Sequence, residues 1–356
     1  MLHRGWPSQT EAPRVPRTAM RFFDHQAAAR SQSRRLLVLF SLATAATVLG
    51  VYLALEVAWW ALERLIGPIG KPALWTQVNL GVPLVAILGG WWLEASQLSG
   101  PEALQRLARR MGAQPIRAGR WPQQQVLDNI VDELTIAAHM PRPEVMVLPR
   151  MQAINAMAAG LGDGGLLMVS QGALEGLDRD ELQGLVAHEF SHLREGDTAL
   201  HLRLAGMVGG LELLWRWGEH LREVRVGLVS VLGAIIMAVG VFGWWAGRAM
   251  QAAVSRQREL LADARAVQWT RNRDGLGRVL RKALGQRQDP GAAWRDPSWD
   301  AAFRHFLLVA PPRETGGWFD SHPPLAERIR RIYGRSMPAL APAVDERTMA
   351  SAAAGE

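Results

Sequence analysis

The stretch Val186-Ala187-His188-Glu189-Phe190-Ser191-His192 decides how this chain is to be read. Its spacing predicts a turn of α-helix with two imidazoles on one side, because residues four apart lie about 40° apart around a helix of about 3.6 residues per turn. His188 and His192 then face a single metal ion. Glu189 lies beside them, placed to handle a proton on a water that the ion activates. The flanks support the helix. Asp178 is a suitable N-cap with Glu181 following it in a capping-box pattern, Leu182, Leu185, Val186 and Leu193 form an apolar stripe, and Gly196 is a plausible stop. Chance also produces such a spacing, so a third ligand and the surroundings must decide.

Composition narrows the chemistry. The 356 residues include no cysteine, which excludes disulfides and thiolate ligands and leaves any zinc to histidine and carboxylate. The length allows one or two domains with a sizeable core. Net charge is +7, from 40 Lys+Arg that are nearly all arginine, a balance suited to nucleic acid or to an anionic membrane surface. Long uncharged apolar runs decide for the membrane, since a soluble nucleic-acid binder has no use for them. No nucleic-acid partner is expected.

Residues 1–35 are rich in arginine and proline and read as a basic, mostly disordered cytoplasmic arm, with a nucleic-acid arm as the alternative. Residues 36–55 are uncharged, long enough to cross a bilayer core of about 30 Å. That run is too long for a signal peptide and lacks a cleavage site followed by polar sequence. A second uncharged run at 73–93, with a kink expected at Pro83, completes a transmembrane hairpin over 36–97. Arg106, Arg109, Arg110, Arg117 and Arg120 follow it, against Arg64 and Lys71 in the connection, so both flanks are expected in the cytoplasm. Trp59, Trp60, Trp75, Trp91 and Trp92 sit where interfacial aromatics belong.

Residues 98–335 read as one catalytic domain interrupted by an apolar helical hairpin. A helix is expected at 126–138, and short strands at 145–148, 154–158 and 166–170. The run 226–247 is uncharged and reads as a strong span, whereas 198–218 carries Arg203, Glu212 and Arg216. If residues on both sides of this region bind one ion, the chain crosses the membrane an even number of times between them. Either both segments cross or neither does. The hairpin is the favoured reading, with Gly206/Gly210 and Gly243/Gly247 as small-residue faces and the charges turned toward the bundle or a wet cavity. A helix then runs through Ser255–Asp263 to about Trp269, 286–300 forms a loop, and a last helix starts near Pro323. The tail 336–356 is Ala-rich and reads as disordered.

A catalytic zinc takes three protein ligands and keeps a position for water. Glu259 is the candidate third ligand, one per-chain zinc being expected, and Asp263 one turn later is placed to accept a hydrogen bond from the far nitrogen of His188. The alternative for Glu259 is a solvated helix charge paired with Arg256.

His188-Glu189-x-x-His192, then Glu259-x-x-x-Asp263 after an apolar hairpin, then Ser321-His322-Pro323-Pro324, together resemble the HtpX-type membrane zinc metalloproteases. These are gluzincins related to the CAAX prenyl-proteases, and the resemblance covers residues 100–334. It implies a mainly α integral membrane protein: a bundle of about four apolar segments carrying a cytoplasmic gluzincin-type domain with a small edge β-sheet. It further implies a zinc endopeptidase in the inner membrane that cuts misfolded or damaged membrane proteins, with those substrates and the lipid bilayer as partners. Asn155 and Ala156 match the family's edge strand lining the cleft, where an extended peptide pairs with the backbone; taken alone, Asn155 is equally a turn-forming amide. His322 matches the family's His-Pro element and is a candidate for stabilising the oxyanion, or else an N-cap or surface residue. Arg256 and Arg258 either serve the oxyanion or anchor their helix at the membrane face. Processing of lipidated peptides is an alternative activity, disfavoured because four segments build too small a membrane barrel. A zinc-binding scaffold or chaperone without turnover is another, disfavoured by the presence of Glu189.

Overall fold

Residues 17–97, 102–117, 119, 121–161, 164–224, 227–288, 308 and 319–341 are described by the computed structural model. In chain order the elements are α1 (Arg17–Ile66), α2 (Trp75–Gln97), α3 (Ala103–Arg110), β1 (Gln114–Pro115), α4 (Pro122–Ala138), β2 (Glu144–Leu148), β3 (Ala156–Leu161), β4 (Gly164–Ser170), α5 (Gln171–Gly176), α6 (Arg179–Glu195), α7 (Asp197–Glu223), α8 (Gly227–Thr270), α9 (Arg273–Gln288) and α10 (Leu325–Tyr333).

Helices α1, α2, α7 and α8 pack in a ring, each against the next. Among the described residues, three stretches are long and apolar enough to cross a membrane, Val38–Ile66, Trp75–Leu93 and Gly227–Thr270. Of the about four apolar segments expected, α7 is not among these three, because Arg203, Glu212 and Arg216 lower its hydropathy. That helix is nonetheless part of the bundle. Along α8, Gly233 meets Leu221, Gly240 meets Trp215 and Gly247 meets Leu211, so partner numbers fall as α8 advances and the two helices form an antiparallel hairpin. On its other side α7 touches α2 through backbone: a Cβ on Gly210 would lie 2.1 Å from the Ile87 carbonyl oxygen. The polar residues of α7 are partly self-paired, with Arg216 donating to Glu212 one turn back at 2.6 Å.

α8 has 44 residues and so extends about 66 Å, twice a bilayer core of about 30 Å. Its first half is the apolar run that packs in the bundle. Its second half carries Arg258, Glu259, Asp263 and Arg265, all buried, into the catalytic region. One uninterrupted helix therefore joins the two parts.

Four strands form a mixed sheet in the order β1-β2-β4-β3. β2 and β4 are parallel, and β3 is an antiparallel edge. Alternation covers both faces: Val145 and Val147 point into the main core with α4, α6 and α9, while Met146 and Leu148 point to a smaller cluster with Leu107 of α3. The strand expected at 154–158 begins instead at Ala156, because Asn155 is fully buried and its N–H donates to the Ser170 hydroxyl.

Three termini differ from expectation. α1 begins at Arg17, so residues 17–35, expected within a disordered arm, are helical. After Pro16 neither proline nor glycine occurs until Gly50, and alanine, arginine and glutamine extend a helix once the span behind them is formed. Residues 1–16 lie outside the described residues. Residues 286–288 of the loop expected at 286–300 are instead the end of α9, and its remainder lies outside the described residues. The first residues of the expected tail dock on α9: Arg281 Nε donates to the Pro338 carbonyl at 2.8 Å and the Leu340 N–H to the Arg281 carbonyl at 3.1 Å. Residues 342–356 again lie outside.

Candidate active site

α6 is built to hold its two histidines firmly. Asp178 and Glu181 form a reciprocal capping box, each side chain accepting from the other's backbone N–H at 2.9 Å. Leu182, Leu185, Val186 and Phe190 are buried in the main core. Gly196 ends the helix in the left-handed region at φ 66°, accepted there without the strain a Cβ would bring. The face opposite the apolar stripe turns to the second half of α8, and His188, Glu189, Glu259 and Asp263 meet there with almost no exposure.

The ligand geometry is specific. His188 Nε2 and His192 Nε2 stand 3.1 Å apart. Glu259 Oε2 is 3.6 Å from the former and Oε1 is 3.5 Å from the latter. Four-coordinate zinc with ligands at about 2.0–2.2 Å places its donors about 3.3–3.6 Å apart, so these separations suit one ion. The donor chemistry agrees. His188 Nδ1 faces Asp263 Oδ1 at 3.0 Å, and His192 Nδ1 faces Asp197 Oδ2 at 2.7 Å. With Nδ1 of each ring facing a carboxylate, both Nε2 atoms are left to one another and to Glu259, a donor set suited to a cation. His188, His192 and Glu259 are the one such group of three found among the described residues.

Electrostatics point the same way. Burial pulls the His188 imidazole down, but Asp263 and Glu259 beside it outweigh this and push it up to about 9. The acceptors thus hold a positive charge at this spot. His192 is likewise raised, burial being overcome by Asp197. Burial pushes the Glu189 carboxyl above its ordinary value, against the pull of the two histidines.

Two residues that sequence reasoning passed over complete the cluster. Arg328 of α10 has no exposure and grips Asp263 with Nε and Nη2 at 2.8 and 2.6 Å. Its Nη1 lies 3.0 Å from Glu259 Oε2 and donates to the Leu308 carbonyl. Asp197, the first residue of α7, is the partner of His192. Its only signal in the sequence was a carboxylate directly after the helix stop.

The remaining predicted residues divide. His322 comes to the site, with Nδ1 3.4 Å from Glu259 Oε2. Arg256 donates to the Asp320 carbonyl at 2.9 Å, holding the segment that leads to His322. Arg258 pairs with Asp197 at 2.5 Å and with Glu195 at 3.4 Å. Both arginines thus stand in anchoring contacts. Ala156 lies on the edge strand, and its carbonyl accepts the Leu308 N–H at 3.1 Å. Further along β3 the Gly160 N–H donates to Thr198 Oγ1 at 3.0 Å.

Comparison with known proteins gives the same picture. Residues 122–336 match peptidase family M48. The chain is 29% identical over 286 residues to a protein named Protease HtpX homolog from Listeria welshimeri, covering 73% of this chain and 88% of that one. It is 34% identical over 236 residues to a protein of the same name from Ligilactobacillus salivarius, covering 62% and 75%. Among solved structures it is similar to Ste24p of S. mikatae, at 15% identity and a TM-score of 0.42, over 79% of this chain and 66% of that one.

Proposed function

This chain belongs to peptidase family M48 and is a membrane metalloprotease, and we propose that it uses a zinc ion held by His188, His192 and Glu259 to hydrolyse peptide bonds in misfolded or damaged membrane proteins. The observation that carries this reading is the convergence of those three ligand atoms within 4.8 Å of one another, beside a buried glutamate.

Zinc at that position supplies Lewis acidity, making a water acidic near neutral pH and polarising the scissile carbonyl. The protein does the rest. Glu189 takes the proton of the attacking water and hands it to the leaving amine, a task served by a carboxyl whose burial raises its affinity for protons. His322, with its ring on the Glu259 side of the site, donates to the developing oxyanion. An extended substrate pairs with the side of β3 turned away from β4. The Ala156 carbonyl and Gly160 N–H on that side are bonded to Leu308 and Thr198, so pairing centres on Ala158, which faces the same way by the two-residue period of a strand.

The arginines after α2 support a cytoplasmic position for this region at the inner membrane, by the excess of positive charge on cytoplasmic flanks. α8 supports a membrane substrate, since it leads directly from the apolar bundle to Glu259: the ligand lies about 18 Å past Gly247, where the uncharged run ends.

The test compares wild type with Glu189→Gln in detergent, measuring zinc per chain and cleavage of an unfolded protein. We expect one zinc in both and cleavage only by wild type, with a loss of at least about a hundredfold in the variant. Equal cleavage by the two would remove Glu189 from the chemistry.

A further inference from the structure

We propose that Asp197, held in turn by Arg258, is the positioning residue for His192, so that two carboxylate–histidine pairs, each backed by an arginine, orient the metal site. One pair is Asp263 with His188, gripped by Arg328. The other is Asp197 with His192, and it has the shorter contact: Oδ2 lies 2.7 Å from Nδ1. The second oxygen of Asp197 meets Arg258 Nη2 at 2.5 Å. Arg258 is itself braced by Glu195, whose other oxygen accepts from Arg265. All of Asp197, Arg258 and Arg265 are buried.

The placement explains why such a pair is needed. His192 is in the last turn of α6, where less of its own helix follows to support the ring than at His188. Asp197 follows immediately after the left-handed Gly196, so the turn that ends α6 brings the carboxylate back onto the ring. Arg258 precedes Glu259 on α8. The pair therefore ties the carboxyl end of one ligand-bearing helix to the other at the level of the ligands. A carboxylate on Nδ1 fixes the tautomer that leaves Nε2 as the ligand and makes it a stronger donor to metal. A bland alternative exists: Asp197 is an acid at the amino end of α7, favourable to the helix dipole without any role for His192.

The inference rests on His188, His192 and Glu259 being the zinc ligands, and the experiment separates the two claims. Zinc affinity of the full chain in detergent is measured by competition with a chelator, for wild type, Asp197→Asn, Arg258→Met and the double variant. Thermal midpoints of the metal-free proteins are recorded alongside. We expect Asp197→Asn to weaken zinc binding about 10–100-fold. Arg258→Met should weaken it less, and the double variant no more than Asp197→Asn alone, because the arginine acts through the carboxylate. Wild-type affinity in Asp197→Asn, with only a lowered metal-free midpoint, overturns the proposal and leaves the helix-dipole role. Additive losses overturn the part assigned to Arg258. If Asp197→Asn does not fold, Arg258→Met alone decides, since wild-type affinity there overturns the linkage. A wild type that binds no zinc overturns the ligand reading itself, and this proposal with it.

Discussion

Arg328 reaches the site from α10 with its guanidinium enclosed by two carboxylates and a backbone carbonyl, and no part of it meets solvent. Replacing it by methionine leaves Asp263 and Glu259 without their buried counter-charge. Losing one partner of such a pair costs about 3–5 kcal/mol. We therefore expect Arg328→Met to lower the unfolding free energy of the metal-free protein by that amount, read as a lower denaturation midpoint, and Arg328→Lys to recover little, because an ammonium cannot bridge both oxygens of Asp263 and also reach Glu259. A midpoint equal to wild type would mean that solvent or another cation balances the carboxylates. At this scale the sequence is legible only where chemistry and spacing coincide. His188, Glu189 and His192 announce themselves. Arg328 stands among Arg330 and Arg331 in the same short helix, and nothing in the string of letters separates the fully buried arginine from its exposed neighbour Arg331.

At the level of elements, α7 and α8 show what hydropathy captures and what it leaves out. α8 was readable as a span followed by a ligand-bearing helix, although not as one continuous rod. α7 is too polar to be read as a span from hydropathy alone, and only the even number of crossings favoured it as half of a hairpin, yet it touches α2 at Gly210 with backbone against backbone. A side chain there has no rotamer that relieves the clash with the Ile87 carbonyl. Gly210→Ala is expected to lose about 1–3 kcal/mol by overpacking. The neighbouring Gly209 has nothing within 4 Å of where its Cβ would go, so Gly209→Ala serves as the control and should be neutral or slightly stabilising through helix propensity. Thermal midpoints of both in detergent check this; equal behaviour would show that α2 and α7 are not packed this closely. The short strands were legible as strands from brief apolar runs bounded by turn residues. Their order was not, because a parallel β2–β4 pair with β3 outside it depends on long-range pairing that no local pattern records.

For the whole molecule, an ion at the proposed site would also be a clamp between two helices, α6 and α8. Zinc bound only by the folded chain stabilises it by mass action, by about 2.7 kcal/mol at a hundred times the dissociation constant. Chelation should lower the melting temperature and added zinc restore it. Glu189→Gln should keep this response and His192→Ala should lose most of it. A melting temperature indifferent to chelator in wild type would count against the ion joining the two helices.

The sequence by itself determined the chemistry and the compartment. The absence of cysteine left zinc to histidine and glutamate, the i,i+4 spacing put two imidazoles on one face, and the uncharged runs required a bilayer. Each of these is a local property, set by composition or helical period. Only the tertiary structure decided which charges serve the site. Arg328 is brought to Asp263 and Asp197 to His192 with Arg258 behind it, while Arg256 is turned to the Asp320 carbonyl. Those assignments follow from how α10 and the α6–α7 turn pack against α8. A charged side chain in a buried cluster is stable only with its partners in place, and that condition is met by the fold as a whole and not by any single stretch of chain.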